Sequence, residues 1–231
     1  MTPEQLTELR IQVTEQDFDI IGAYVPLAFR TMSQELSVKE RAENIAYGLV
    51  GESGELADLY KKHLYHKHEL DRDKVIKECG DIMWYLANAI YHMNTHRAVS
   101  VKGEVSASAY EDRPVSAFWR SIRRIYINTN HPDSTKNADV DFDYKHPILE
   151  LSSLSVRLGH ILMTPYVKTL YFSRTRNSTM VATMVYIVKG VLESVGSNLE
   201  ECLNLNVEKL KKRYPEGFST QESIERKDLQ Q

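Results

Sequence analysis

The stretch GLVGESGELADLYKKH (residues 48–63) has the spacing of a helix that faces a protein core, but carboxylates occupy part of its inward row. Glu52 and Glu55 continue the row that starts at Ile45 and Gly48. Residues three apart on a helix have Cβ atoms about 5–6 Å apart, so the two carboxylates share one face. The stretch therefore predicts a helix with two acidic side chains on its buried side.

Three glycines weaken the same helix. Gly48 lies in the carboxylate row, and Gly51 and Gly54 flank it. Each glycine in a helix interior costs about 0.8–1 kcal/mol relative to alanine, so their presence needs a reason. A residue without a side chain allows close approach to the backbone. We therefore expect a neighbouring helix or a ligand to lie against this face.

A second carboxylate pair follows in KECGDIMWYLA (residues 77–87), where Glu78 and Asp81 are three residues apart. Four carboxylates on facing sides of two helices repel one another and lose hydration, so they need partners or a metal. Oxygen ligands favour a hard cation such as Mg²⁺ or Mn²⁺ over zinc or copper. The alternative is a set of solvated Glu–Lys pairs on the surface. Because both pairs align with apolar rows in consecutive helices, we predict a metal site.

Apolar spacing along the rest of the chain predicts an all-α protein, a helical bundle. The predicted helices span about residues 18–32, 37–63, 75–93, 148–167, 180–195 and 199–213. Pro26 lies inside the first helix, which therefore either kinks or begins there. Ser37 and Glu40 form a capping box, and either Asp71 or Asp73 can cap the third helix. After a Tyr-Pro-Glu-Gly turn signature, the polar tail SIERKDLQQ is expected to fray.

The stretch between about Asn94 and Pro147 is polar and rich in turn-forming residues. We therefore predict a single all-α domain over residues 1–231 with a long insertion at 95–175. VRLGHIL (156–162) and TMVATMVYIVKGVL (179–192) align with the two carboxylate-bearing stretches, but without their acidic residues. They are either part of a degenerate second copy of the helix pair or two amphipathic helices that align by chance.

The bulk composition excludes several classes of protein. The 29 Lys and Arg residues are balanced by 32 Asp and Glu, and the net charge of -3 gives no basic field for nucleic acid. No apolar run approaches the roughly 20 residues of a membrane span, and MTPEQLTELR is too polar for a signal peptide. Cys79 and Cys202 fit buried thiols in a reducing compartment. We therefore predict a cytoplasmic protein that binds neither nucleic acid nor membranes.

Three stretches together resemble the MazG-like all-α nucleoside triphosphate pyrophosphohydrolases. They are GLVGESGELADLYKKH, KECGDIMWYLA and, near the C-terminus, NVEKLKKRYPEGFS. YVPLAFRTM (24–32) is also similar to the helix that precedes the signature in many members. The family signature is ExxE, a spacer and ExxD, to which Glu52/Glu55 and Glu78/Asp81 correspond. In compact members the C-terminal element follows soon after ExxD, whereas a long segment separates them here.

The resemblance implies a helical bundle, usually a homodimer, that uses Mg²⁺ to convert a nucleoside triphosphate to a monophosphate and pyrophosphate; Mn²⁺ is expected to substitute. The metal ligands that it implies are Glu52, Glu55, Glu78 and Asp81. Glu55 is expected to accept the proton of the attacking water. Tyr85 lies on the carboxylate row and can stack on a base or sugar. The C-terminal element adds three expected contacts to the nucleotide or its phosphates: Asn206, Lys209 and Arg213.

The residues leave several functions open. The enzyme can be a general (d)NTP pyrophosphohydrolase or a dUTPase- or dCTPase-type enzyme. An alarmone hydrolase on the same fold is a further alternative. A protein of a different class, a non-catalytic helical interaction protein whose acidic face binds metal or a partner, also fits the carboxylate rows. Base and sugar preference have no readable motif in the sequence.

Overall fold

A computed structural model describes residues 15–95, 146–163, 174–226 and 228. Most of the predicted insertion, 95–175, lies outside these residues. Within them the chain is helical and contains no strand, which confirms the all-α class. The helices are α1 (Glu15–Arg30), α2 (Val38–His66), α3 (Arg72–Thr95), α4 (Pro147–Met163), α5 (Arg174–Ser194), α6 (Leu199–Arg213) and α7 (Thr220–Glu225).

Side chains at the helix starts explain where several of these helices begin. The backbone N–H of Glu40 donates to Ser37 Oγ, and that of Ser37 donates to Glu40 Oε2, so the capping box of α2 is confirmed. Of the two acidic candidates before α3, Asp71 is the cap, since its Oδ1 accepts from the N–H of Lys74 at 3.2 Å. α1 runs through Pro26, so the alternative that this helix begins there is wrong.

Four of the helices form a bundle around one core. α2 packs on α3 and α4, and α5 packs on the same two helices. The α2–α4 contact is close, with the hydroxyls of Ser53 and Ser155 2.6 Å apart and Gly159 lying against Ala46. The segments 156–162 and 179–192 lie in α4 and α5, so they supply the second helix pair of the bundle. Their origin as a degenerate copy stays a prediction.

α3 is the most enclosed helix, because α1 and α6 cover the side that the bundle leaves free. Both helices pack on α3 and on each other. At the start of α3, Arg72 donates to both carboxylate oxygens of Glu201 in α6, at 2.9 and 3.0 Å. Glu78 within α3 is therefore buried, whereas Asp73 at its start is exposed. Among the described residues no single helix is long and apolar enough to cross a membrane; α5 from Met180 and α6 reach that length and composition only together, across a 95° bend.

The segment after α6 folds back over the end of α1. Arg30 donates to the carbonyls of Tyr214 and Pro215 at 3.2 and 3.1 Å. Gly217 has a φ of 112°, which favours glycine, and it completes the turn that the sequence predicts. Ser219 then caps the short helix α7. The prediction that this tail frays is therefore wrong for the residues of α7.

Candidate metal centre

Three carboxylates converge between α2 and α3. Glu52 and Glu55 from α2 and Glu78 from α3 each place an oxygen within 4.8 Å of the other two. Among the described residues, this is the group of acidic, histidine or cysteine side chains close enough to share one cation. Glu78 is 6% exposed, Glu52 is partly buried and Glu55 is exposed. An all-oxygen set fits a hard divalent cation without selecting Mg²⁺ over others.

The raised pKa of Glu52 indicates that the negative charge of this cluster is only partly compensated. The pKa of Glu52 is raised to about 7, chiefly by burial and then by the negative charges of Asp81, Glu55 and Glu78. Lys77 opposes this shift only in part. A bound cation would remove the repulsion, because it favours the ionised form of each ligand. The residues therefore fit a metal centre.

Asp81 lies outside this compact group. Lys209 Nζ and Asn206 Nδ2 both donate to its Oδ1, the amide at 3.1 Å. Lys77 Nζ lies 3.4 Å from its other oxygen and 2.9 Å from Glu78 Oε1. The role of Asp81 as a fourth metal ligand stays a prediction. Lys77 was not among the predicted site residues, although its position next to Glu78 and four residues before Asp81 is typical of ion pairing on a helix.

A buried tyrosine fixes the amide that contacts Asp81. Tyr24 in α1 is 3% exposed, and its hydroxyl donates to Asn206 Oδ1 at 2.7 Å. This bond turns the other end of the amide, the Nδ2 donor, toward Asp81. Asn206 itself is 4% exposed and lies behind the cavity rather than on its wall. In this structure it therefore orients Asp81.

Tyr24→Phe is expected to lower the free energy of unfolding by about 1–2 kcal/mol, because it leaves the buried carbonyl of Asn206 without a donor. It should also loosen Asp81, so the Mg²⁺ dependence of any turnover should shift to higher metal concentration. Urea unfolding and a metal titration measure the two effects. Tyr47→Phe, at a position that is 80% exposed, is the matched control. Equal unfolding free energies for the two variants would contradict the proposed orienting bond.

A cavity of about 390 Å³ opens beside the carboxylates. Six of the eight predicted site residues line it, and the other two, Glu78 and Asn206, lie behind its wall. The cavity has an acidic part, a set of cationic side chains and an aromatic wall. The acidic residues are Glu52, Glu55 and Asp81; the cations are Lys77, Lys209, Arg213 and Arg226; the aromatic residues are Trp84, Tyr85, Tyr214 and Phe218.

The aromatic wall explains the glycine in the carboxylate row. A Cβ added at Gly48 would lie 2.0 Å from Tyr85 Cζ, so only glycine leaves room for this ring. Gly51 and Gly54 have no such neighbour within 4 Å. The expected close approach is therefore found at Gly48 alone. Trp84 packs edge-on against Tyr85, with centroids 4.7 Å apart, and its Nε1 donates to Thr31 Oγ1 at 2.8 Å.

The chain matches no family model, no curated protein and no solved structure. The MazG-like assignment therefore stays a prediction from the motifs. The geometry gives the site a chemical character without that assignment. Two of the three carboxylates suited to a cation line one cavity together with four cationic side chains and four aromatic rings, and the third, Glu78, lies beside them.

Proposed function

We propose that this protein is a Mg²⁺-dependent nucleoside triphosphate pyrophosphohydrolase, which converts a (d)NTP to a (d)NMP and pyrophosphate. The observation that carries the proposal is the triad of Glu52, Glu55 and Glu78, two of whose members line a cavity that also holds cations and aromatic rings. A triphosphate needs a cation and positive side chains, and a nucleoside needs a stacking surface. The cavity offers these elements together.

The reaction assigns a role to each group of side chains. Mg²⁺ bound at the carboxylates would offset the charge of the triphosphate and make a bound water more acidic. Glu55 is the most exposed of the three carboxylates and accepts the proton of the attacking water. Lys77, Lys209 and Arg213 bind the phosphate oxygens and stabilise the charge of the leaving pyrophosphate.

The aromatic wall positions the nucleoside. The Tyr85 ring covers the backbone of Gly48 and lies one turn of α3 beyond Asp81. A sugar or base on this ring therefore places its triphosphate toward the carboxylates. The hydrogen bond from Trp84 to Thr31 holds the second ring in place. Stacking contributes about 1–3 kcal/mol per base and tolerates any base, so it supports binding without fixing specificity.

Product analysis tests the reaction. The protein is incubated with Mg²⁺ and a panel of NTPs, dNTPs and a guanosine tetraphosphate in ¹⁸O-labelled water. We expect a monophosphate and pyrophosphate, with the label in the monophosphate, because water attacks the α-phosphorus. Turnover of dUTP or dCTP alone favours the narrower enzymes, and turnover of the tetraphosphate alone favours an alarmone hydrolase. No turnover, with thermal stabilisation by Mn²⁺, favours the interaction protein.

Glu55→Gln should lower turnover by about 10²–10⁴-fold, the usual contribution of a general base, while the protein stays folded. The helix face at position 55 is exposed, so the substitution disturbs no packing. Glu69→Gln, an exposed change in the loop between α2 and α3, is the control. If Glu55→Gln turns over substrate as fast as the wild type, Glu55 is not the general base. Light scattering of the same samples tests the homodimer that the resemblance implies.

A further inference from the structure

The last described residue carries a buried carboxylate that no part of the proposed reaction uses. The side chain of Asp228 is only 2% exposed, although this residue lies in the polar C-terminal tail. Its two oxygens accept hydrogen bonds from Arg213 Nε at 2.7 Å and Arg213 Nη2 at 2.5 Å. Arg226 Nε lies 3.6 Å from the same carboxylate. Two guanidinium groups therefore converge on one anion.

Both arginines belong to the wall of the cavity that Glu52 and Glu55 also line. A fork of two parallel N–H donors from one arginine binds carboxylate and phosphate equally well. The same pairing holds for the other cations of the wall, because Lys77 and Lys209 pair with Asp81. Each cation that the cavity offers to a polyphosphate therefore lies beside a carboxylate of the chain itself, with two cations sharing each of Asp81 and Asp228.

We propose that Arg213 and Arg226 form a phosphate subsite, which Asp228 occupies when no ligand is bound and leaves when a polyphosphate chain enters. The ligand class is the phosphate chain of the nucleotide, so the inference rests on the proposed function and specifies one of its contacts. Asp228 and a phosphate group compete for the same donors. Ligand binding therefore releases the segment that starts at Ser219 and carries α7.

This exchange explains two features of the tail. Asp228 pairs with Arg213 at the cavity wall, where a partly buried guanidinium without a partner would be costly. The short helix α7 adds Ser223 and Arg226 to the cavity wall and buries no side chain of its own. Its position therefore depends on contacts such as the Asp228 pair rather than on a core. A segment held this way can leave at small cost.

Removal of the competing charge tests the subsite. Asp228→Asn keeps the shape of the side chain and should bind inorganic tripolyphosphate about tenfold more tightly than the wild type, the lower end for close charge pairs. Calorimetry without metal, at low and moderate salt, measures this affinity. Arg226→Gln added to Asp228→Asn should reverse part of the gain. Glu216→Gln, an exposed change in the turn just before this segment, is the control and should leave the affinity unchanged.

A second measurement uses the unmodified protein. Tripolyphosphate should increase amide hydrogen exchange across residues 219–226, since it displaces Asp228. Unchanged or slower exchange would overturn the proposal. Tripolyphosphate binding by Asp228→Asn that is equal to or weaker than that of the wild type would also overturn it. Asp228 would then only hold the C-terminal segment in place.

These outcomes are independent of catalysis. If no nucleotide is hydrolysed but Asp228→Asn still gains affinity, the proposed function fails and the phosphate subsite stands. If nucleotides are hydrolysed but neither the tripolyphosphate affinity nor the hydrogen exchange changes as expected, the phosphate subsite is wrong and the proposed function stands. Melting curves for each variant separate a loss of fold from a change in binding.

Discussion

Replacement of Glu52 by glutamine is expected to abolish Mn²⁺ binding and, without metal, to make the protein more stable than the wild type above pH 7. The loss of metal affinity should be at least about a hundredfold, since even residues that only orient metal ligands contribute 10–100-fold. Mn²⁺ should therefore raise the melting temperature of the wild type and leave that of the variant unchanged.

The gain in stability follows from the pKa of Glu52, which is about 7 in the folded protein and 4.5 for an unperturbed glutamate. Between these values the folded state binds more protons than the unfolded state, so stability falls as the pH rises through this window. Glutamine has no carboxyl proton to lose, so its side chain does not destabilise the protein as the pH rises. Because Glu52 is only partly buried, solvent screening reduces this effect. The free energy of unfolding of the variant should rise by roughly 1–3 kcal/mol at pH 8 and by almost nothing at pH 4.

Melting curves from pH 4 to pH 8, with and without Mn²⁺, measure both effects. In a protein of this length the gain corresponds to a shift of roughly 2–10 °C. Wild-type affinity for Mn²⁺ should fall below pH 7, because a proton competes with the metal at Glu52. Glu43→Gln changes an exposed carboxylate of the same helix, 3.5 Å from Lys39, and should alter neither result. A variant that binds Mn²⁺ like the wild type would contradict the metal centre.

Local sequence rules were enough for most of the helices, because their ends depend on neighbouring residues. The bounds predicted for α6, Leu199 to Arg213, are those of the structure. The sequence alone could not decide that α1 continues through Pro26. Ile21 and Val25 before the proline and Ala28 after it are fully buried, which depends on the tertiary structure. Packing of these side chains outweighs the local cost of proline. α7 has only six residues, and distant contacts position it.

The site residues also divide into those whose position the sequence predicts and those whose position depends on tertiary contacts. Glu52, Glu55 and Glu78 meet because each lies on the inward row of its own helix, and the row is visible in the sequence. Asp81 is turned toward α6 by Lys209, which is 128 residues away. Asp228 meets Arg213 through the fold of the tail, which no spacing rule predicts. Sequence periodicity assigns a residue to a face, and the neighbouring helix decides its partner.

Gly48→Ala is expected to lower the free energy of unfolding by up to about 2 kcal/mol, because the cost of repacking outweighs the gain in helix propensity. The new methyl group would lie 2.0 to 2.5 Å from three atoms of the Tyr85 ring, so the ring or one of the two helices must move. Forced repacking of this kind costs about 1–3 kcal/mol. Because Tyr85 also forms the cavity wall beside Asp81, the nucleotide KM should rise.

Two other glycines of the same helix give the matched control. Gly51→Ala and Gly54→Ala place a methyl group where no neighbour lies within 4 Å, so each should stabilise the protein by about 0.8–1 kcal/mol. The sign of the change therefore separates contact with Tyr85 from helix propensity. Urea unfolding at one pH measures all three variants.

A double-mutant cycle with Tyr85→Ala identifies the ring as the cause. Without the ring, Gly48→Ala has room for its methyl group and should stabilise the protein by about 0.8–1 kcal/mol, as at the control positions. The coupling between positions 48 and 85 should then equal the repacking cost of about 1–3 kcal/mol, which is within the usual range for residues in contact. If Gly48→Ala stabilises the protein in both backgrounds, Tyr85 does not lie on Gly48. The packing of α2 against α3 beside the carboxylates would then differ from the one described, and the cavity wall with it.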